Sequence, residues 1–123
     1  MTAAPGRVLV VEDSPVCAKM LRITLEHAGH DVSVVGSVPE ALAILSVDIP
    51  DVVICDLLLG LVGNGYDVVS AIRAKGSRAL CIAVTALINP EIEDHAKAAG
   101  FDIFLRKPLR TASLLKILSG VRL

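Results

Sequence analysis

The sequence predicts one doubly wound α/β domain over residues 1–123, with five parallel strands alternating with five helices. Three observations carry this reading. The chain is 54% hydrophobic and only 2% aromatic, so its core must be built from Val, Ile, Leu and Ala. That is the composition of strands buried on both faces of a parallel sheet. Short apolar runs end in polar residues, and stretches of helical period separate them. A chain of 123 residues buries one core, and right-handed crossovers place helices on both faces of the sheet.

Arg7–Val11 reads as the first strand, β-branched and stopped by Glu12-Asp13. Ser14 caps the next helix, with Pro15 at its first position. Cys17, Leu21, Thr24/Leu25 and Ala28 recur at helical spacing and are expected to face the sheet, and Gly29 suits the helix end. Asp31–Val35 alternates polar and apolar, as a half-buried edge strand does. Ser37 or Val38 caps a second helix whose expected inner face is Ala41, Leu42 and Leu45. Asp51–Asp56 is the third strand, followed by a glycine-containing apolar loop over Leu57–Asn64. Gly65 to about Ala74 forms a third helix, with Val68, Val69 and Ile72 inward. Ala79–Val84 is a buried fourth strand ending at Thr85. A helix from Asn89-Pro90-Glu91 to Gly100 follows, then a fifth strand over Phe101/Asp102–Leu105 that ends in Arg106-Lys107-Pro108. Thr111–Ser119 is the last helix, with Leu114, Leu115 and Leu118 inward.

The polar residues of interest stand at strand ends. An ionised carboxylate inside a buried strand is costly, but at the carboxyl end of a strand it reaches solvent, where open α/β sheets bind ligands. Glu12, Asp13, Asp56, Thr85 and Lys107 follow strands one, three, four and five, and a doubly wound sheet brings those ends to one rim. Three carboxylates that close resist ionising together. A divalent cation and a fixed ammonium relieve them. Hard oxygen ligands suit Mg²⁺, and Lys107 supplies a compact positive charge. A metal-bound acid beside a lysine and a hydroxyl is equipped to accept a phosphoryl group on a carboxylate. Singly, an acid pair is a solvated cap, Thr85 a strand-end hydroxyl, Lys107 a surface residue and Phe104 core; four such coincidences at four strand ends point elsewhere.

Along nearly its whole length the chain resembles the receiver domain of two-component response regulators, in the chemotaxis-regulator-like superfamily. The matching segments are Val10-Val11-Glu12-Asp13, Asp51–Asp56, Val84-Thr85-Ala86 and Phe104-Leu105-Arg106-Lys107-Pro108. The resemblance implies a flavodoxin-like sheet of order 2-1-3-4-5 and a Mg²⁺-dependent transfer to Asp56 from a phosphohistidine. Glu12, Asp13, Asp56 and the backbone carbonyl of Leu58 would hold the metal. Thr85 and Lys107 would contact the phosphoryl oxygens, and Thr85 with Phe104 would form the switch. Lys107-Pro108 would be cis. A histidine kinase or histidine phosphotransfer domain would be the donor, with a downstream protein target or an output domain as the recipient of the signal.

Several residues depart from the family pattern. Gly60 stands where the family often has Pro, and Gly65 comes one residue late, so the loop that carries Leu58 bears on metal affinity. Phe104 replaces the commoner Tyr and leaves the switch to packing alone. Leu58 and Leu87 flank the expected path of the hydrolytic water and cannot orient it, which predicts a long-lived aspartyl phosphate. Val16, Met20 and Ile23 form a second apolar stripe on the first helix, near Pro108, where phosphodonor helices dock in this family. Helix five carries Arg110 and Lys116 and no acid, which lacks the complementary signs of the charge-paired dimer of the DNA-binding subfamily. A monomer or weak homodimer is expected.

The net charge of −1 gives no reason to expect nucleic acid or a membrane surface as partner. No apolar run is long enough for a membrane helix, and no signal peptide precedes the first strand. Cys17, Cys55 and Cys81 read as buried reduced thiols of a cytoplasmic protein. No output domain is expected within these residues. The expected role is a switch with self-catalysed phosphorylation and dephosphorylation rather than a metabolic enzyme. Two other classes compete. One is a phosphorylation-independent interaction module. The other is an aspartate-nucleophile hydrolase of the haloacid dehalogenase type, which lacks its usual second acid because position 58 is Leu.

Overall fold

In the computed structural model, residues 6–57, 65–86 and 89–119 are described. Five strands form one parallel sheet in the order β2-β1-β3-β4-β5. They are β1 (Arg7–Val11), β2 (Asp31–Val35), β3 (Val52–Asp56), β4 (Leu80–Thr85) and β5 (Ile103–Arg106). The helices are α1 (Pro15–His27), α2 (Val38–Leu45), α3 (Gly65–Ala74), α4 (Pro90–Ala99) and α5 (Thr111–Ser119). β2 is at an edge, as its alternation predicts. β4 and β5 each begin and end one or two residues later than the apolar pattern suggests, because pairing with the neighbouring strand extends into Thr85 and Arg106. No helix among the described residues is long and apolar enough to cross a membrane.

Successive strand residues point to opposite faces, and the core divides accordingly. Val8, Val10, Val52, Ile54, Ile82 and Val84 pack under α1 and α5, with Leu21, Leu25, Leu114 and Leu118 as the helical partners. On the other face, Leu9, Val11, Val53, Cys55, Cys81 and Ala83 pack under α2, α3 and α4.

Local chemistry sets the helix ends. Ser14, Ser37 and Asn89 are N-caps whose side chains accept from the backbone N–H groups of Cys17, Glu40 and Ile92. Two inner-face expectations are corrected. Leu42 is exposed and Val38 is buried instead. Ala28 is the exposed C-cap of α1 rather than a sheet-facing residue.

Arg73 ties α3 to the start of β5. Its guanidinium donates to the carbonyls of Gly100 at 2.8 and 3.1 Å, Ser77 at 3.0 Å and Ala79 at 2.8 Å, and to Asp102 at 2.8 Å. Gly100 is the left-handed residue that ends α4, with φ of 119°. A Cβ there would come within 2.9 Å of Arg73 Cγ. Replacing Arg73 with Met leaves partly buried carbonyls without donors and is expected to cost about 2 kcal/mol. Urea unfolding checks this, and an unchanged midpoint would show that the carbonyls find other partners.

Candidate functional site at the carboxyl rim of the sheet

Three backbone hydrogen bonds extend the sheet pairing just beyond the strand ends. Glu12 N donates to Val35 O at 3.0 Å, Leu57 N to Val84 O at 3.1 Å, and Lys107 N to Thr85 O at 2.9 Å. They hold in place the backbone from which the functional side chains project. Glu12, Asp56 and Thr85 are the buried polar side chains of the described residues, at 4%, 7% and 2% exposure. Asp13 is exposed.

Lys107 joins the acids. Its Nζ donates to Asp56 Oδ2 at 2.8 Å and to both carboxylate oxygens of Glu12 at 3.1 Å. One carboxylate oxygen each from Glu12, Asp13 and Asp56 lies within 4.8 Å of the others. At an effective dielectric of about 20, two charges at such a distance repel by about 3 to 4 kcal/mol, so a single ammonium offsets only part of the crowding. Burial pushes the Glu12 carboxyl above its usual range; the nearby Asp56 charge adds to this, and the hydrogen bond from Lys107 opposes it. Burial alone would lower the Lys107 pKa, but its bonds and charge pairing with Asp56 and Glu12 outweigh this and push it up to about 12.

Sequence reasoning placed Glu12, Asp13, Asp56, Thr85 and Lys107 on one rim. The structure gathers the carboxylates of Glu12, Asp13 and Asp56, bonds Lys107 to Glu12 and Asp56, and sets Thr85 on the adjacent strand, where Asp56 pairs with Val84. Phe104 pairs with Ala83, two residues before Thr85, and packs partly buried against the α2–α3–α4 side of the core. Lys107-Pro108 is cis. Leu58, Leu87 and the rest of the 58–64 loop lie outside the described residues, and with them the expected carbonyl ligand and the flanks of the water path.

The stripe on α1 divides. Val16 and Ile23 are exposed, at 79% and 56%. Met20 is half-buried and lines a cavity with Pro108. The ammonium expected to relieve the crowded acids does so through both oxygens of Glu12 as well as through Asp56. Sequence reasoning missed that Gly65 is a packing residue. Gly65 N donates to Leu57 O at 3.2 Å, and a Cβ at this glycine would come within 2.8 Å of Asp56 O.

The cysteines are not alike, which corrects the expectation of three buried thiols. Cys55 and Cys81 are buried, and burial pushes both thiols up, Cys81 to about 11. Cys17 is only half-buried. Iodoacetamide at about pH 8 is expected to label Cys17 while sparing the other two, since the thiolate is the nucleophile. Peptide mass mapping reads the result, and equal labelling of all three would contradict this placement.

The comparisons with known proteins agree with this geometry. The family described as the response regulator receiver domain matches residues 8–119. The DNA-binding response regulator MtrA of Mycolicibacterium smegmatis is 34% identical over 89% of this chain, which spans 47% of MtrA's own length. The chemotaxis protein CheY4 of Vibrio cholerae superposes with a TM-score of 0.86 at 32% identity, covering 94% of this chain and 97% of that one. The receiver domain of the sensor histidine kinase PA1611 of Pseudomonas aeruginosa superposes at 0.82 with 31% identity, covering 94% of this chain and 95% of that one. That structure has a magnesium ion coordinated in its active site cleft. A match over most of the chain, the 2-1-3-4-5 sheet and the acid–lysine cluster at its carboxyl rim together establish that the chain belongs to the response regulator receiver domain family of two-component signalling.

Proposed function

We propose that Asp56 accepts a phosphoryl group from a phosphohistidine of a kinase or phosphotransfer domain. The observation that carries this reading is Lys107 Nζ held 2.8 Å from Asp56 Oδ2 and 3.1 Å from Glu12, amid three carboxylates with oxygens within 4.8 Å. An Asp56 oxygen attacks phosphorus, an O–P bond forms, and the P–N bond to the donor imidazole breaks. Lys107 turns part of its hydrogen bonding toward the phosphoryl oxygens, and the Thr85 hydroxyl takes another of them. Phe104 then follows Thr85 inward, so the signal reaches the face around α4 and β5 through packing. The added charge of roughly −1.5 to −2 is the physical trigger.

Receiver domains typically bind Mg²⁺ at their acidic site and interact with histidine kinases and downstream effectors. The donor set in this chain fits such an ion, being hard, anionic and oxygen-only. Glu12, Asp13 and Asp56 would hold it, with the carbonyl of Leu58. When bound, it neutralises charge on the transferring phosphoryl group.

The test is intact-mass measurement after incubation with acetyl phosphate. Wild type with Mg²⁺ is expected to gain one phosphoryl group. Wild type without Mg²⁺, and Asp56→Asn with it, are expected to gain none. A phosphorylated Asp56→Asn protein would overturn the assignment.

Val16, Met20, Ile23 and Pro108 form the proposed docking patch for the donor. Met20→Glu is expected to slow transfer from a phosphohistidine partner about tenfold or more, as the loss of a buried interface contact does, and to leave labelling by acetyl phosphate unchanged. Rapid-quench kinetics with both donors checks this, and equal slowing with each would place the effect in the site itself.

A further inference from the structure

We propose that the cavity between α1 and the β5–α5 connection is a binding site for one small amine with an apolar body, about the size of benzylamine. The cavity measures about 150 Å³. Cys17, Met20 and Leu21 wall it from α1, and Pro108 and Leu109 from the segment after β5. Enclosed apolar cavities of about this volume take up benzene-sized molecules; this one has comparable room and mostly apolar walls and opens at one edge. A concave apolar site with a few polar groups at one edge is the common form of a small-ligand pocket.

The polar edge sets the head group. Glu12, Asp56 and Lys107 line it, and their two carboxylates outnumber the one ammonium. Asp13 adds to the surplus, with an oxygen within 4.8 Å of those of Glu12 and Asp56. An apolar ring fits the walls and a cationic head fits the edge, whereas an anionic head meets repulsion. Bound Mg²⁺ would remove the surplus negative charge, so the amine and the metal oppose each other. The site does not depend on phosphoryl acceptance: a chain that never took a phosphoryl group would still bind the amine.

The test uses the full chain with benzylamine, benzyl alcohol and benzoate as probes, read by methyl NMR and by protection of Cys17 from alkylation. Benzylamine is expected to shift the Met20, Leu21 and Leu109 methyls and to slow Cys17 alkylation. Benzyl alcohol is expected to bind about tenfold more weakly, the worth of one charge-assisted contact, and benzoate to show no binding. Mg²⁺ is expected to weaken benzylamine but not benzyl alcohol. Cys17→Leu, which fills the cavity and spares the acids, is expected to abolish the benzylamine shifts; Met20→Phe serves as a second filling variant if the first does not fold. Absence of shifts at the cavity methyls would overturn the proposal. So would shifts that persist in a folded filling variant, or benzoate binding as tightly as benzylamine.

Discussion

Replacing Lys107 with Met is expected to destabilise the metal-free protein by about 3 kcal/mol at neutral pH, the cost of removing one partner from a buried charge network. The side chains of Glu12 and Asp56 are 3% and 8% exposed, and both lose their bonds to the ammonium. Two like charges then remain in a poorly solvated site. The deficit should depend on pH. The Glu12 carboxyl is raised in the folded state chiefly by burial, so its contribution to stability is present below the ordinary carboxylate value and is lost as pH rises through the folded one. Removing the ammonium raises that folded value further. The deficit is therefore largest at neutral pH and shrinks as acid protonates Glu12. Lys107 itself, raised to about 12, contributes stability that is present below the ordinary lysine value and lost as pH climbs through about 12. Urea unfolding of wild type and Lys107→Met at neutral and mildly acid pH measures this. Adding Glu12→Gln to Lys107→Met should recover much of the neutral-pH loss. Equal deficits at both pH values would mean that Lys107 acts by packing and not by charge.

Gly65→Ala is expected to cost about 2 to 3 kcal/mol and to impair phosphorylation as well. The new methyl would meet Asp56 O at 2.8 Å, Cys55 Sγ at 3.1 Å and Leu57 Cα at 3.1 Å. Two of these are backbone atoms at the strand end that carries Asp56, so they cannot swing aside. Overpacking of this kind typically costs about 1 to 3 kcal/mol, and the relief available is to push α3 away from β3. Strain that α3 does not absorb presses on the β3 end and shifts the Asp56 carboxylate from Lys107. Thermal unfolding and acetyl phosphate labelling, measured together, read the two effects. Full stability with full labelling would show that the start of α3 yields freely.

The strands and their parallel arrangement were legible because a sheet buried on both faces demands unbroken apolar runs, and Arg7–Val11 and Asp51–Asp56 supply them. The rim residues were legible because each acid, hydroxyl or lysine directly follows such a run. Other features were less readable. The stretch Ala41–Leu45 is entirely apolar, so periodicity sets no phase and Leu42 was assigned inward in place of Val38. Cys17 sits in an apolar pattern yet borders a cavity, and a cavity depends on how α1 and the β5–α5 connection pack against each other. Gly65 reads only as the start of a helix after a glycine-containing loop, whereas its close approach to Asp56 O is a tertiary fact. The bond between Lys107 and Glu12 joins residues 95 apart in sequence, a separation that local pattern cannot specify.

Reductive trapping tests most directly whether one carboxylate of this crowded rim captures phosphorus. Borohydride converts an aspartyl phosphate to homoserine, and peptide sequencing then locates the modified residue. After incubation with acetyl phosphate and Mg²⁺, homoserine is expected at position 56 alone. Reduction at Glu12 or Asp13, or an intact Asp56 in protein that carries phosphate, would contradict the assignment.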